Sequence, residues 1–115
     1  MADLMDTSAR YRALIQEVLR DVAALDPGDA EIESQLVFDT ERDHYQIWYV
    51  GWKGQQRVRG CLVQADLKEG KIWLQHDGTE EGVADELVRR GVPKQDIVLA
   101  FHAPYRRSHT GFAVA

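Results

Sequence analysis

The chain has 115 residues, of which 44% are apolar and 29% are charged, and its net charge is −5. This length suits one domain, residues 1–115, with enough core to fold unaided, and the composition excludes a disordered chain. The single cysteine, Cys61, excludes an intrachain disulfide and a thiolate zinc site, and the acidic charge disfavours autonomous binding to duplex nucleic acid.

The first segment predicts an amphipathic helix from Thr7 to Leu25. Apolar residues recur there at three- and four-residue spacing, which gives one apolar stripe. They are Tyr11, Leu14, Ile15, Val18, Val22 and Leu25. Asp6, Thr7 or Ser8 is expected to cap the first turn. The run Asp26-Pro27-Gly28-Asp29 is expected to end the helix, because proline disfavours a helical residue before it.

After Glu31 the apolar residues change to a period of two, which is typical of half-buried strands. Four strands are predicted: Glu31 to Phe38, Tyr45 to Trp52, Val58 to Asp66 and Lys71 to His76. Short polar turns join them, and the last contains Gly70, where a positive φ is expected. Parallel neighbours need long crossovers, so this part of the chain predicts an antiparallel meander.

A short helix and one further strand complete the prediction. Thr79 is expected to cap the helix and Gly91 to end it. The apolar run from Ile97 to Phe101 predicts a fifth strand, and the tail from Ala103 to Ala115 carries no clear pattern. The fold class is therefore α+β. No apolar run approaches the about 20 residues that span a bilayer, and the first residues lack a signal pattern, so we expect a cytoplasmic protein.

Two groups of residues are candidates for chemistry. Carboxylates and an imidazole at Asp39, Glu41, Asp43 and His44 suit a divalent cation, but a solvated hairpin turn explains the same residues better. His76 and His102 end two predicted strands, and with Asp77 they form the best candidate for an enzyme site. Cys61 is interpreted as a small core residue. We expect no catalytic residue, no metal and no cofactor.

Aromatic placement is the most informative feature of the sequence. Trp48 and Trp52 point to one face of their strand, and Trp73 alternates with its apolar neighbours on another. Both faces of the sheet are therefore substantially apolar, whereas two helices of the predicted size can cover only one face well. Two alternatives remain for the other face: the C-terminal segment covers it, or it is a surface for self-association or a protein partner.

The basic residues indicate a different possible function, which is direct binding of nucleic acid. Arg89 and Arg90 lie in the short helix, and Arg106 and Arg107 follow Tyr105. An aromatic residue beside paired arginines suits single-stranded nucleic acid or an acidic protein surface. An ordinary charged surface explains these residues as well, so direct nucleic-acid binding is the alternative to protein binding.

The sequence also resembles the XisI family, the fdxN element excision controlling factor proteins of cyanobacteria. The resemblance covers nearly the whole chain. Its densest stretches are Phe38–Gln46, Val50–Trp52, Val58 with Gly60-Cys61, Lys71–Glu80, Glu86–Val88, Gly91–Lys94, Asp96–His102 and Pro104–Arg106.

This resemblance implies a role in the excision of a DNA element during heterocyst differentiation. It also implies a companion protein, XisH, with a nuclease-like fold, and it transfers no catalytic residue. We therefore expect a non-enzymatic regulatory factor that binds an XisH-like partner, forms a homo-oligomer and meets nucleic acid only indirectly. The expected contact surface consists of Trp48, Trp52 and Trp73 with the charged turn Asp39, Glu41, Arg42, Asp43 and His44.

Overall fold

The computed structural model describes residues 4–25 and 31–115. Its helices are α1 (Leu4–Leu25), α2 (Val83–Arg89) and α3 (Pro104–Arg107). Its strands are β1 (Ile32–Asp39), β2 (His44–Lys53), β3 (Gln56–Lys68), β4 (Lys71–Asp77) and β5 (Ile97–Leu99). The α+β prediction of an N-terminal helix, a four-stranded meander, a short helix and a fifth strand is confirmed.

The five strands form one mixed sheet in the order β1-β2-β3-β4-β5. Three antiparallel pairings connect β1 to β4, whereas β5 lies parallel to β4, after the crossover that contains α2. The register shifts between Ile47 and Trp48 and again between Gln64 and Ala65. Such bulges increase the local twist of the strands.

The core lies between the helices and one side of the sheet, which we call the helix face. α1 contributes Tyr11, Ile15, Val18 and Leu19 to it, and α2 contributes Val83, Ala84 and Leu87. The sheet contributes alternate residues, as the period of two predicts: Tyr45, Ile47, Val63, Ala65, Leu67, Ile72, Leu74, Ile97 and Leu99. Burial of these side chains is the main force that holds the two layers together.

Polar contacts fix α1 to the rest of the core at two points. The buried hydroxyl of Tyr11 donates a hydrogen bond to the carboxylate of Asp96, in the 3₁₀ turn before β5. Burial, with this neighbouring carboxylate, raises the pKa of Tyr11 to about 12. The next residue of α1, Arg12, bonds to Asp43 beside β2. The β2 side and the β5 side of the sheet are thus bonded to the same helix.

Several predicted boundaries were wrong. α1 begins at Leu4, so Asp6, Thr7 and Ser8 lie inside the helix and do not cap it. The predicted helix stop at 26–29 lies outside the described residues. β5 ends at Leu99, two residues early, because Ala100 and Phe101 belong to the turn that follows.

The start of α2 was also predicted incorrectly. The helix begins at Val83, whose backbone N–H donates to the carboxylate of Asp77 at 2.6 Å. Thr79 instead accepts a bond from the backbone of Gly82 at 3.1 Å, within the loop. The predicted end is confirmed, because Gly91 has a φ of 103° directly after the last turn.

Candidate functional site

The side of the sheet away from α1 and α2 carries all three tryptophans, and we call it the open face. Trp48 and Trp52 of β2 lie opposite Cys61 and Arg57 of β3, and Trp73 of β4 lies opposite Asp66. Side chains directly opposite one another in an antiparallel pair share a face. The alternation that predicted this face therefore gives the correct side for each indole.

A cationic side chain lies over each indole ring of the open face. The guanidinium carbons of Arg59 and Arg57 lie 5.3 Å from the ring centres of Trp48 and Trp52. The ammonium of Lys68 lies 4.3 Å from the ring of Trp73. These distances are those of cation–π contacts. On this side of the sheet cationic side chains lie over the aromatic rings, whereas helices cover the other side.

The positions of these cations over the indole rings were not predicted from the sequence. Arg57 lies directly opposite Trp52, and Arg59 lies next to Cys61, the residue opposite Trp48. The signal was present in the short turn at Gly54 and Gln55, because turn length fixes which residues of a hairpin face one another. It gives the pairing of Trp52 with Arg57 and of Trp48 with Cys61, because the register is regular from the turn as far as Trp48 and shifts only beyond it.

The tail covers one end of the open face. Ala113 forms a parallel bridge with Val98 of β5, and Val98 is fully buried. Arg107 donates to the carbonyl of His102 at 3.0 Å, and its guanidinium lies 5.8 Å from the ring of Trp73. The alternative of a covering C-terminal segment therefore holds at β5 and the adjacent side of Trp73.

The β2 end of the open face is more exposed. Trp48 is half-buried, and its indole N–H donates to the side chain of Gln46 at 2.7 Å. Trp52 keeps 48% of its surface exposed. Large aromatic side chains beside arginines, only partly shielded from water, are typical of the residues that contribute most binding energy at protein interfaces.

The turn between β1 and β2 holds its charged residues in local bonds. The carboxylate of Asp39 accepts backbone N–H groups of Glu41 and Arg42, each at 3.0 Å, and a bond from the Arg42 side chain. The Arg42 backbone bond is the main reason that the pKa of Asp39 is lowered. His44 bonds to Asp66 at 2.8 Å. These contacts match the hairpin interpretation.

Asp43 has a structural role that the sequence did not predict. Its carboxylate accepts bonds from Arg12 Nε and from the hydroxyl of buried Tyr45, both at 2.7 Å. The bond from Arg12 is the main reason that the pKa of Asp43 is lowered. Within the predicted contact surface, Asp43 therefore faces inward, whereas Glu41 and Arg42 are exposed.

The residues of the enzyme hypothesis have other partners. Asp77 accepts bonds from Thr79 and Val83 and shapes the loop before α2. The ring of His102 packs against that of Phe101 at a tilt of 47°, with 4.6 Å between ring centres. Burial raises the pKa of the Cys61 thiol, which donates to a backbone carbonyl at 3.3 Å. In residues 4–25 and 31–115 no three histidine, cysteine or acidic side chains converge on a metal position.

Three of the four arginines of the nucleic-acid hypothesis form bonds within the chain. Arg90 binds three carboxylates at 2.8–2.9 Å, those of Glu17, Asp21 and Glu86. Arg107 is bonded to backbone carbonyls of the tail and of the turn after β5. Arg89 pairs with Glu86, and Arg106 lies over the ring of Tyr105 at 5.9 Å.

Comparison with known proteins agrees with this architecture. The sequence model of the family described as XisI protein matches residues 5–114. The chain belongs to the XisI family. No curated protein matches the sequence. Across the described residues, no helix has both the length and the apolar character that crossing a membrane requires.

Two solved structures from Anabaena variabilis ATCC 29413 are similar over their full length. A XisI-like protein is 45% identical, with a TM-score of 0.90, and the match covers 94% of this chain and 99% of that one. The fdxN element excision controlling factor XisI is 33% identical, with a TM-score of 0.82, and the match covers 96% and 100%. The XisI fold is therefore shared across almost all of the chain.

Proposed function

We propose that this XisI-family chain is a non-enzymatic accessory factor that binds a protein partner through its open face. The observation that carries the proposal is the pair of partly exposed side chains Trp48 and Trp52, each beneath an arginine and on the side of the sheet away from α1 and α2. Tryptophan and arginine are the residue types most enriched at binding hot spots. A surface of this kind releases water when a complementary protein covers it.

The family gives this binding a biological context. One similar structure is named as an fdxN element excision controlling factor. We propose that this chain also takes part in controlling the excision of a DNA element in the cytoplasm. Its partner would be an XisH-like protein with a nuclease-like fold, which would make the contact with DNA. The net charge of −5 supports this division of roles, since phosphate binding needs clustered cations.

A double substitution tests the proposed face. The chain with Trp48→Ala and Trp52→Ala is expected to bind a co-expressed XisH-like partner about 2–4 kcal/mol more weakly than the original chain. Isothermal titration calorimetry with the purified proteins measures this difference. Circular dichroism establishes that the variant keeps its fold.

The matched control is Tyr105→Ala. Tyr105 is the most exposed aromatic side chain of the described residues, at 75%, and it lies on α3. We expect its removal to leave the affinity unchanged. Equal affinity of the folded double variant and the original chain would show that the partner binds elsewhere.

A further inference from the structure

The outer edge of β1 is unpaired within the described part of the chain. β1 is the first strand of the sheet, and β2 is its neighbour on one side. The backbone N–H of Trp52 donates to the carbonyl of Glu31. This bond identifies which alternate residues of this segment bond to β2. Because bonded residues alternate along such a ladder, four residues direct their backbone N–H and C=O groups away from β2. They are Ile32, Ser34, Leu36 and Phe38.

This edge lacks most of the features that protect exposed strands, and its charged residues are Glu33 and Asp39. β1 contains no proline, lysine or arginine, and its register with β2 shows no bulge over its whole length. The run from Ser34 to Phe38 carries no charge, and Leu36 and Val37 are 40% and 47% exposed on opposite faces. Long edges without bulges and with exposed apolar side chains pair readily with another strand.

The opposite edge of the same sheet is protected. β5 has only three residues, and the tail bridges it through Val98 and Ala113. The backbone N–H of Ala113 also donates to the carbonyl of Ile97 at 2.9 Å. The fold thus closes the short edge with its own chain, whereas the longer edge at β1 has no neighbouring strand among the described residues.

We propose that β1 pairs with β1 of a second copy in an antiparallel, two-fold symmetric contact. An antiparallel edge is self-complementary, because the same row of donors and acceptors meets itself after a two-fold rotation. The contact joins two five-stranded sheets into one continuous sheet. It uses backbone groups at the edge and is independent of the binding assigned to the open face.

The register between the two copies of β1 is the one that pairs the largest number of outward-facing backbone groups. With the two-fold axis at Gln35, Ser34 lies opposite Leu36 of the second copy, and Ile32 lies opposite Phe38. All four outward-facing residues then find partners, and Glu33 lies opposite the apolar Val37. Moving the axis to Leu36 would set Glu33 opposite Asp39, and directly opposed like charges are destabilising. With the axis at Gln35, acidic residues meet only at the ends, where Asp39 is bonded to Arg42.

Charge substitutions at two positions test both the contact and its register. The purified full chain is expected to sediment as a dimer whose dissociation depends on concentration. The variant with Ser34→Lys and Leu36→Lys sets lysine opposite lysine twice across the axis, and we expect a monomer. The matched variant with Ser34→Lys and Leu36→Glu sets opposite charges together and should restore the dimer.

Three outcomes of analytical ultracentrifugation would overturn this proposal. They are a monomeric original chain at every concentration, a dimer that survives the two lysines, and a failure of the lysine–glutamate variant to dimerise. A dimer that is lost in the Trp48→Ala and Trp52→Ala chain, but kept with both lysines, would place self-association on the open face. Circular dichroism of each variant separates loss of the dimer from loss of the fold.

Discussion

Replacing Asp43 with asparagine is expected to lower the free energy of unfolding by about 2–3 kcal/mol, measured by urea denaturation. The carboxylate holds Arg12 of α1 and the hydroxyl of Tyr45 at once, with 19% of its side chain exposed. Asparagine keeps the size of the side chain and tolerates the positive φ of 59° at this position. The substitution therefore removes the charge without adding backbone strain.

Glu41→Gln is the matched control for this substitution. It removes a carboxylate from the same turn, but the Glu41 side chain is exposed. We expect its effect on stability to be small, as is usual for exposed charges. Equal stability of the Asp43→Asn and Glu41→Gln chains would contradict the structural role of Asp43.

The same carboxylate predicts how stability changes in acid. Arg12 lowers the pKa of Asp43 below its ordinary value of 3.8, so the folded state holds the proton less tightly than the unfolded state. The contribution of Asp43 is complete above that ordinary value and is lost as the pH falls through the lower folded-state pKa. In denaturation at decreasing pH, the stability difference between the original chain and Asp43→Asn should shrink. A difference that stays constant into strong acid would mean that charge is not its cause.

Replacing Gly51 with alanine is expected to destabilise the fold by about 3 kcal/mol. A Cβ at this position would lie 2.0 Å from the carbonyl oxygen of Glu31 and 2.6 Å from Cα of Ile32. Both are backbone atoms of the segment that pairs with β2, so relief of the clash requires the start of β1 to move. Thermal and urea unfolding both measure the loss.

Gly54 provides the control for this second prediction. It has a φ of 61°, and a Cβ built there meets no atom within 4 Å. Gly54→Ala should therefore lose only about 1 kcal/mol, for the left-handed backbone. Hydrogen exchange should show faster opening of β1 in Gly51→Ala and not in Gly54→Ala. Equal losses of stability in the two variants would show that the close approach of β1 is not the reason that position 51 requires glycine.

The fold was largely predictable because the signals that define it are local. Period-two alternation and short polar turns fix an antiparallel meander, and a positive φ at Gly70 closes the last hairpin. The start of α2 was less predictable, because the carboxylate that holds it belongs to Asp77, six residues away from Val83. Local cap rules favoured Thr79, whose hydroxyl is bonded within the loop.

The candidate site was predictable only in part. Alternation gave the face of each tryptophan, since it depends on the strand period alone. The cations above the rings depend on pairing between strands, and Arg59 reaches Trp48 diagonally from its place opposite Val50, which the strand period alone does not give. The inward position of Asp43 depends on Arg12, which lies 31 residues away in α1. Turn composition alone cannot reveal such a contact.

Fluorine NMR of the chain labelled with 5-fluorotryptophan tests the open face most directly, because the sequence contains only three tryptophans and all lie there. On addition of the unlabelled XisH-like partner, the resonances of Trp48 and Trp52 should shift or broaden, and that of Trp73, beneath Lys68 and Arg107, should change less. Formation of the complex with all three resonances unchanged would contradict binding through this face.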